Sequence, residues 1–392
     1  MLSIDESSKI KPEIHNGIMK SSQLKKNDVL IAIVGATIGK VGFYDFDREA
    51  NINQAIAGIR IKNSDILPKF IVSYLLSSIG QTYLDYLKRP VARANINLQE
   101  IAQIEIPVIN KEKQKSLIMI LDTALQNREK KYEHANKLLL DLPKFLMSSL
   151  GLIFDYYTEY LTYAVNRKDI IGRIDADFYS PKFVHFRKQI EEGIFPVVSI
   201  GSVSKNIATG FAAGKQDQGE DLPDEERVAQ LRPFSITPEG ELSFETQKFV
   251  PKKRVKQSDY CQKNEVLFNN TNSPDLVGKT TVFDSDVLCT TSNHITRITV
   301  IDGVNPYYVS YFFNLLLSIG YWKLLCTNFN NQAGVNTETL KSVRIPLPDI
   351  ETQNAIVSKI MGRRSEANKL RKEAEKEWRE AKKQFEKELL GE

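Results

Sequence analysis

The sequence predicts an α+β fold: two α/β modules and two long antiparallel coiled-coil-like helices, arranged as a pseudo-twofold repeat. Three observations predict it. Landmarks recur at an offset of about 239: Gly39-Lys40 with Gly278-Lys279, Asn97 with Asn336, Pro107 with Pro346, Gln114 with Gln353. Each landmark set begins in short runs rich in β-branched residues and continues into an apolar helix pattern. Each then gives way to a long stretch whose apolar residues step by three, four or seven. The repeat is too long for a solenoid or propeller, whose units span roughly 20–50 residues. Two similar modules suit something that offers two similar half-sites.

Residues 29–34 and 41–44 read as strands flanking a glycine-containing turn, and residues 55–61 as a third strand. A helix fits 68–87, with Pro68 in its first turn and Phe70, Tyr74, Ile79 and Tyr83 on one face. A strand at 104–107 closes the module. The second copy repeats this with strands at 266–268, 280–283 and 295–300, a helix over 306–325 and a strand at 343–346. From Gln353, the positions Ile356, Ile360, Ala367, Leu370, Ala374, Trp378, Ala381, Phe385 and Leu389 form one stripe; Leu117, Leu121, Ala124, Ala135, Leu138 and Leu142 form the other. Helices of roughly 40 residues would each run on the order of 60 Å. An exposed apolar stripe needs a partner, so the two are expected to pack on each other. Pro143 should kink or end the first.

Ahead of the second copy lie residues 173–263; ahead of the first lie only about 26. The repeat therefore predicts that the first module is incomplete at its N-terminus, in a late-starting or truncated chain; the alternative is a first module that is naturally shorter.

Composition excludes several classes. Hydrophobic residues make up 42% and charged residues 26%, ordinary for a globular chain. A net charge of +4 permits nucleic-acid binding without arguing for it. Cys261, Cys289 and Cys326 lie far apart, which excludes a cysteine zinc site and a disulfide framework and suits a reducing cytoplasm. No apolar run approaches the roughly 18 residues of a membrane span, and the N-terminus lacks the apolar core of a secretory signal.

Motifs that suggest catalysis fail on spacing. The run from Gly35 to Lys40 has three residues between its glycines, and Val41 follows the lysine, whereas a phosphate-binding loop needs four residues and then Ser or Thr. Gly39 and Gly278 read instead as turn residues. Asn305-Pro306-Tyr307-Tyr308 has one proline fewer than the Asn-Pro-Pro-Tyr loop of adenine methyltransferases, and Pro306 reads as a helix start. His15, His134, His185 and His294 lack metal-ligand spacing. Nothing completes a nuclease set around Asp349 and Glu351. No cofactor or metal is expected, and a binding protein is the reading that remains.

The strand before Gly39-Lys40, then Asn53-Gln54-Ala55, Asn95-Ile96-Asn97 and Ile106-Pro107 leading to Gln114, together form a recurring pattern. Residues 345–353, running into a long helix, repeat its end. This pattern resembles the specificity subunit of type I restriction–modification systems, over nearly the whole chain and in the family's order. The resemblance implies a non-catalytic subunit that binds a bipartite double-stranded DNA target. It would dock two methyltransferase subunits and, through them, the restriction translocase. It implies a first target recognition domain over 1–109, a helical spacer over 110–165, a second recognition domain over 166–349 and a second spacer over 350–392. Base readout needs Arg, Lys, Asn or Gln. Candidates are Thr37, Lys40, Arg89, Arg93 and Asn95 in the first copy, and Asn272, Ser273, Lys279, Asn328, Asn330, Asn331 and Gln332 in the second. Lys252, Lys253 and Arg254, with Lys256, suit phosphates. Asn53, Asn97 and Asn336 occupy repeat-matched slots and are read as structural, because modules for different bases should differ where they read. The alternative is a coiled-coil scaffold, or a remnant with degenerate recognition modules.

Overall fold

A computed structural model describes residues 7–88, 95–156, 162–170, 172–214, 218–329 and 332–391. It divides into two compact units: residues 1–135 with 368–392, and residues 136–367. This division cuts through both long helices.

In the first unit, α1 (Pro12–Asn16) precedes β1 (Asp28–Ala32), β2 (Val41–Tyr44) and β3 (Ile56–Ile59). These form an antiparallel sheet in the order β2–β1–β3. Helices α2 (Pro68–Leu76), α3 (Ser78–Leu87) and α4 (Leu98–Ala102) follow, then the long α5 (Lys111–Leu140). Val29 and Ile31 of β1 share one core with Phe70, Ile71 and Leu75 of α2 and with Leu117 and Leu121 of α5. Trp378 and Phe385 join this core.

The second unit contains α6 (Leu142–Ser149), α7 (Ala176–Tyr179) and α8 (Pro181–Glu191). Its strands are β4 (Val197–Ser199), β5 (Ser204–Thr209), β6 (Arg227–Leu231), β7 (Phe249–Pro251), β8 (Val266–Asn269), β9 (Thr271–Asn272), β10 (Thr280–Val282), β11 (Cys289–Thr291) and β12 (Ile295–Val300). Then come α9 (Pro306–Ser318), α10 (Tyr321–Leu325), β13 (Thr327–Phe329), β14 (Gln332–Gly334), α11 (Thr337–Ser342) and β15 (Arg344–Pro346), and the long α12 (Ile350–Leu390). The sheet β10–β8–β12 reproduces β2–β1–β3, and β5 extends it by one strand. Three small sheets, β11–β6–β7, β13–β14–β9 and β15–β4, are added to it. Phe268, Phe313 and Trp322 centre the core, with ring centroids 4.8–5.6 Å apart.

The long helices pair antiparallel within the first unit. Lys113 meets Glu388 at 3.1 Å, Arg128 meets Glu375 at 2.7 Å, and Lys131 lies between Glu377 at 2.6 Å and Glu373 at 3.3 Å. Advancing along α5 thus retreats along α12. Leu117, Leu121, Trp378 and Phe385 fill the seam.

Four expectations need correction. The helix over 68–87 is two: it breaks at Ser77, whose Oγ accepts from the Gly80 amide at 3.1 Å and starts α3. Gly80 permits the break, because a Cβ there would fall 2.2 Å from the Tyr74 carbonyl oxygen. The helix over 306–325 likewise breaks at Gly320, φ +74°. The first long helix has 30 residues rather than roughly 40: it ends at Leu140, as Pro143 required, and Pro143 stands in the first turn of α6, where a missing N–H costs nothing. Residues 104–107 form no strand, although their counterparts form β15. That strand exists by pairing with β4, and the described residues of the first unit hold no equivalent of β4. Among the described residues no helix is long and apolar enough to cross a membrane.

Candidate functional site

The duplicated frame that carries the site is built from buried polar residues. Asn27 and Asn264 take left-handed φ values of +74° and +68° just before β1 and β8. Asparagine tolerates this better than other side chains do. The next residue in each copy is a buried acid capping that turn: Asp28 accepts from the Lys25 amide at 2.7 Å, and Glu265 from the Gln262 amide at 2.9 Å. Each acid holds an arginine, Arg60 just past the end of β3 on Asp28 at 2.6 Å and Arg297 of β12 on Glu265 at 3.5 Å. Gln114 and Gln353, both fully buried, tie each long helix to the loop ahead of a proline-started helix. Asn97 and Asn336 cap α4 and α11 through their Oδ1 atoms. Repeat-matched residues therefore hold the fold, and loops diverge from it.

The first hairpin closes on the same bond in both units. The Gly39 amide donates to Ala32 O at 2.8 Å, and the Gly278 amide to Asn269 O at 2.9 Å. Between these bonds lie residues 33–38 in one copy and the longer 270–277 in the other. The longer loop includes β9, which pairs with β14. The matching contact in the first unit is a single bridge, Val34 to Asn95.

Beside β9 and β14 the second unit has a polar groove of about 390 Å³. Asn272, Ser273 and Gln332, all expected from sequence, line it. So do Gln230, Arg232, Ser292 and His294, which sequence reasoning missed. Gln230 arrives through β6, which runs parallel to β11 with Gln230 opposite Thr290. A parallel pairing across so much intervening chain leaves no local signal. Gln230 Nε2 donates to Phe211 O at 3.1 Å, and its Oε1 accepts from Arg232 Nε at 3.3 Å. Burial, and then the charge of Arg232, push the His294 imidazole below its ordinary value, so it is neutral near pH 7 and can accept as well as donate. Ser292 is 4% exposed, and its Oγ has no partner.

The remaining candidates are scattered. Lys279 is buried, and its ammonium donates to Pro233 O at 2.9 Å and Ile236 O at 2.6 Å. Its charge is used inside the fold, where burial also lowers its pKa; it does not present the surface a ligand contact needs. Lys252, Lys253 and Arg254 form an exposed 3-10 turn at the end of β6 opposite the groove. The acidic turn Asp224–Glu226 lies beside it and offsets its charge. Thr37, Lys40 and Asn95 are exposed in the first unit, and Asn328 is exposed on β13. Arg89, Arg93, Asn330 and Asn331 lie outside the described residues. Asn305, flagged by its methyltransferase-like tetrapeptide, is the N-cap of α9. Among the described residues no His, Cys, Asp and Glu group is placed to hold a metal.

Comparison with known proteins adds three findings. The profile of the type I restriction modification DNA specificity domain matches residues 12–137 and 183–376. The type I restriction enzyme EcoBI specificity subunit of Escherichia coli is 30% identical over 135 residues. That match covers 34% of this chain and 28% of the relative, little more than a quarter of its length. A solved structure described as the basis for complex assembly and conformational transition of the type I R-M system aligns over 94% of this chain and 81% of that chain. Its TM-score is 0.55 at 15% identity, a likeness of fold.

Proposed function

The chain belongs to the type I restriction modification DNA specificity domain family, and from that membership we propose that it is the DNA-specificity subunit of a type I restriction–modification complex. In this reading it supplies recognition and no catalysis. Each unit contacts one half of a bipartite double-stranded target. The paired helices dock two methyltransferase subunits and, through them, the restriction translocase. The cytoplasm is the compartment this requires, and it suits three unpaired cysteines.

One observation carries the reading: the two units share a frame and differ at the loops it holds. Asn27, Asp28, Arg60 and Gln114 perform the tasks of Asn264, Glu265, Arg297 and Gln353. Yet Ala55, whose carbonyl accepts from the Ile33 amide, stands where the second unit has His294, which accepts from Asn270. A constant scaffold with variable polar loops suits two different half-sites. Exposed amides, hydroxyls and arginine are the groups that read base edges.

The test is co-expression with cognate methyltransferase subunits, followed by genome-wide mapping of methylated adenines. The expected result is methylation at one asymmetric, two-part sequence, and none without this chain. Methylation that does not depend on the chain would refute the proposal.

A further inference from the structure

The geometry points to Arg232 as the guanine-reading side chain of the second unit, with Gln230 as the residue that aims it; this rests on the DNA-recognition reading above. Gln230 is 2% exposed and anchored from behind by the Phe211 carbonyl. Its Oε1 takes the Nε of Arg232 at 3.3 Å and so orients the guanidinium plane. The two terminal nitrogens of Arg232 have no hydrogen-bond partner among the described residues, and the side chain lines the groove. Two coplanar N–H donors match an edge bearing two acceptors, as O6 and N7 of guanine do in the major groove.

A phosphate would satisfy the same fork, but the surroundings favour a base. Phosphate sites gather several cations or backbone amides. Among the described lining residues Arg232 is the one cation, since His294 is neutral near pH 7. The others offer amides and hydroxyls, which suit the mixed donors and acceptors of base edges. Ser292 supplies an independent pointer. Its hydroxyl is buried, lines the groove and is unpartnered. An orphan buried hydroxyl costs stability unless a ligand uses it.

The test presents the full chain with a randomised duplex DNA pool and sequences the bound fraction. Wild type should select a fixed guanine. Arg232→Lys keeps the charge but loses the fork, so discrimination at that guanine should fall about ten- to a hundredfold while other positions persist. Ser292→Ala should weaken selection at an adjacent position yet unfold no earlier than wild type, which separates lost recognition from lost folding. Three outcomes would overturn the assignment: a wild-type consensus without guanine, Arg232→Lys selecting as wild type does, or Arg232→Ala weakening all sequences equally with a shallower salt dependence, the mark of a phosphate contact. If wild type selects no sequence at all, the DNA-recognition reading fails and this one with it. If wild type selects and Arg232→Lys matches it, only this assignment fails.

Discussion

Gln353 does in the second unit what Gln114 does in the first. Gln114 Oε1 accepts from the Leu67 amide at 2.8 Å, and its Nε2 donates to Asp65 O and Ile109 O, both at 2.8 Å. Gln353 Oε1 accepts from the Asn305 amide at 2.8 Å, and its Nε2 donates to Gly303 O at 3.3 Å and Pro348 O at 2.8 Å. Each glutamine joins the start of a long helix to the N-cap of the helix that follows the sheet. Replacing either by alanine orphans buried backbone groups at about 1–3 kcal/mol each. Hydrogen exchange should accelerate at Leu67 in Gln114→Ala and at Asn305 in Gln353→Ala, with the other amide unaffected. Unchanged exchange at both would show that the bonds contribute nothing.

The two buried acids should differ in cost. Arg297 and Glu265 have side chains only 5% exposed, whereas Arg60 is 49% exposed on Asp28. Glu265→Ala strands a buried guanidinium and should destabilise by about 3–5 kcal/mol. Asp28→Ala lets Arg60 turn to water and should cost less. Urea denaturation of the two variants compares them directly, and the reverse order would contradict the argument.

Gly278→Ala should be far worse than Gly39→Ala. Both glycines are left-handed, φ +99° and +84°, a conformation costing other residues roughly 1–2 kcal/mol. A Cβ at Gly278 would also stand 2.1 Å from Trp322 Cδ1 in the core, while at Gly39 it meets the mobile end of Lys88 at 3.0 Å. Overpacking adds about 1–3 kcal/mol at the first position alone. Thermal midpoints and the tryptophan fluorescence of Gly278→Ala should both shift.

His294 makes the second unit sensitive to mild acid. Its folded pKa lies below the ordinary 6.5, first because of burial and then because of Arg232. The unfolded chain therefore binds the proton more readily. Stability from this residue is complete above pH 6.5 and is lost as pH falls through the folded value. His294→Gln should flatten the wild-type dependence of the unfolding midpoint in that window. Identical profiles would rule the residue out.

Lys279 and the Lys252–Lys253 pair should separate stability from DNA affinity. Lys279→Met orphans the carbonyls of Pro233 and Ile236, so it should lower the unfolding midpoint and leave the salt dependence of binding intact. Lys252→Ala with Lys253→Ala should do the opposite. The acids of Asp224–Glu226 alongside should hold the change in salt slope below about 1.8, the full value for two phosphate contacts.

The duplication, the strands common to both modules and the antiparallel helix pair were legible in the sequence because they rest on periodicity and on landmarks that occur twice. Repeat-matched Asn97 and Asn336 were readable as structural for the same reason. The groove was not. It depends on Gln230 reaching β11 through a parallel pairing, and on a loop whose length differs from that of its own counterpart. Lys279 misled because a lysine beside a turn glycine reads as surface, and only the fold shows two carbonyls waiting for it. The strand expected at 104–107 failed because strands are made in pairs, and composition cannot supply the partner.

The hairpins closed by Gly39 and Gly278 have a consequence for how such a protein changes. Each loop begins and ends on one fixed hydrogen bond, whatever lies between, and the entropy of closing it grows only slowly with length. Loop content can thus be exchanged as a cassette, leaving the sheet, the ion pair and the helix anchors untouched. One half of the molecule can acquire a new preference while the other keeps its old one, so novelty can accumulate by parts.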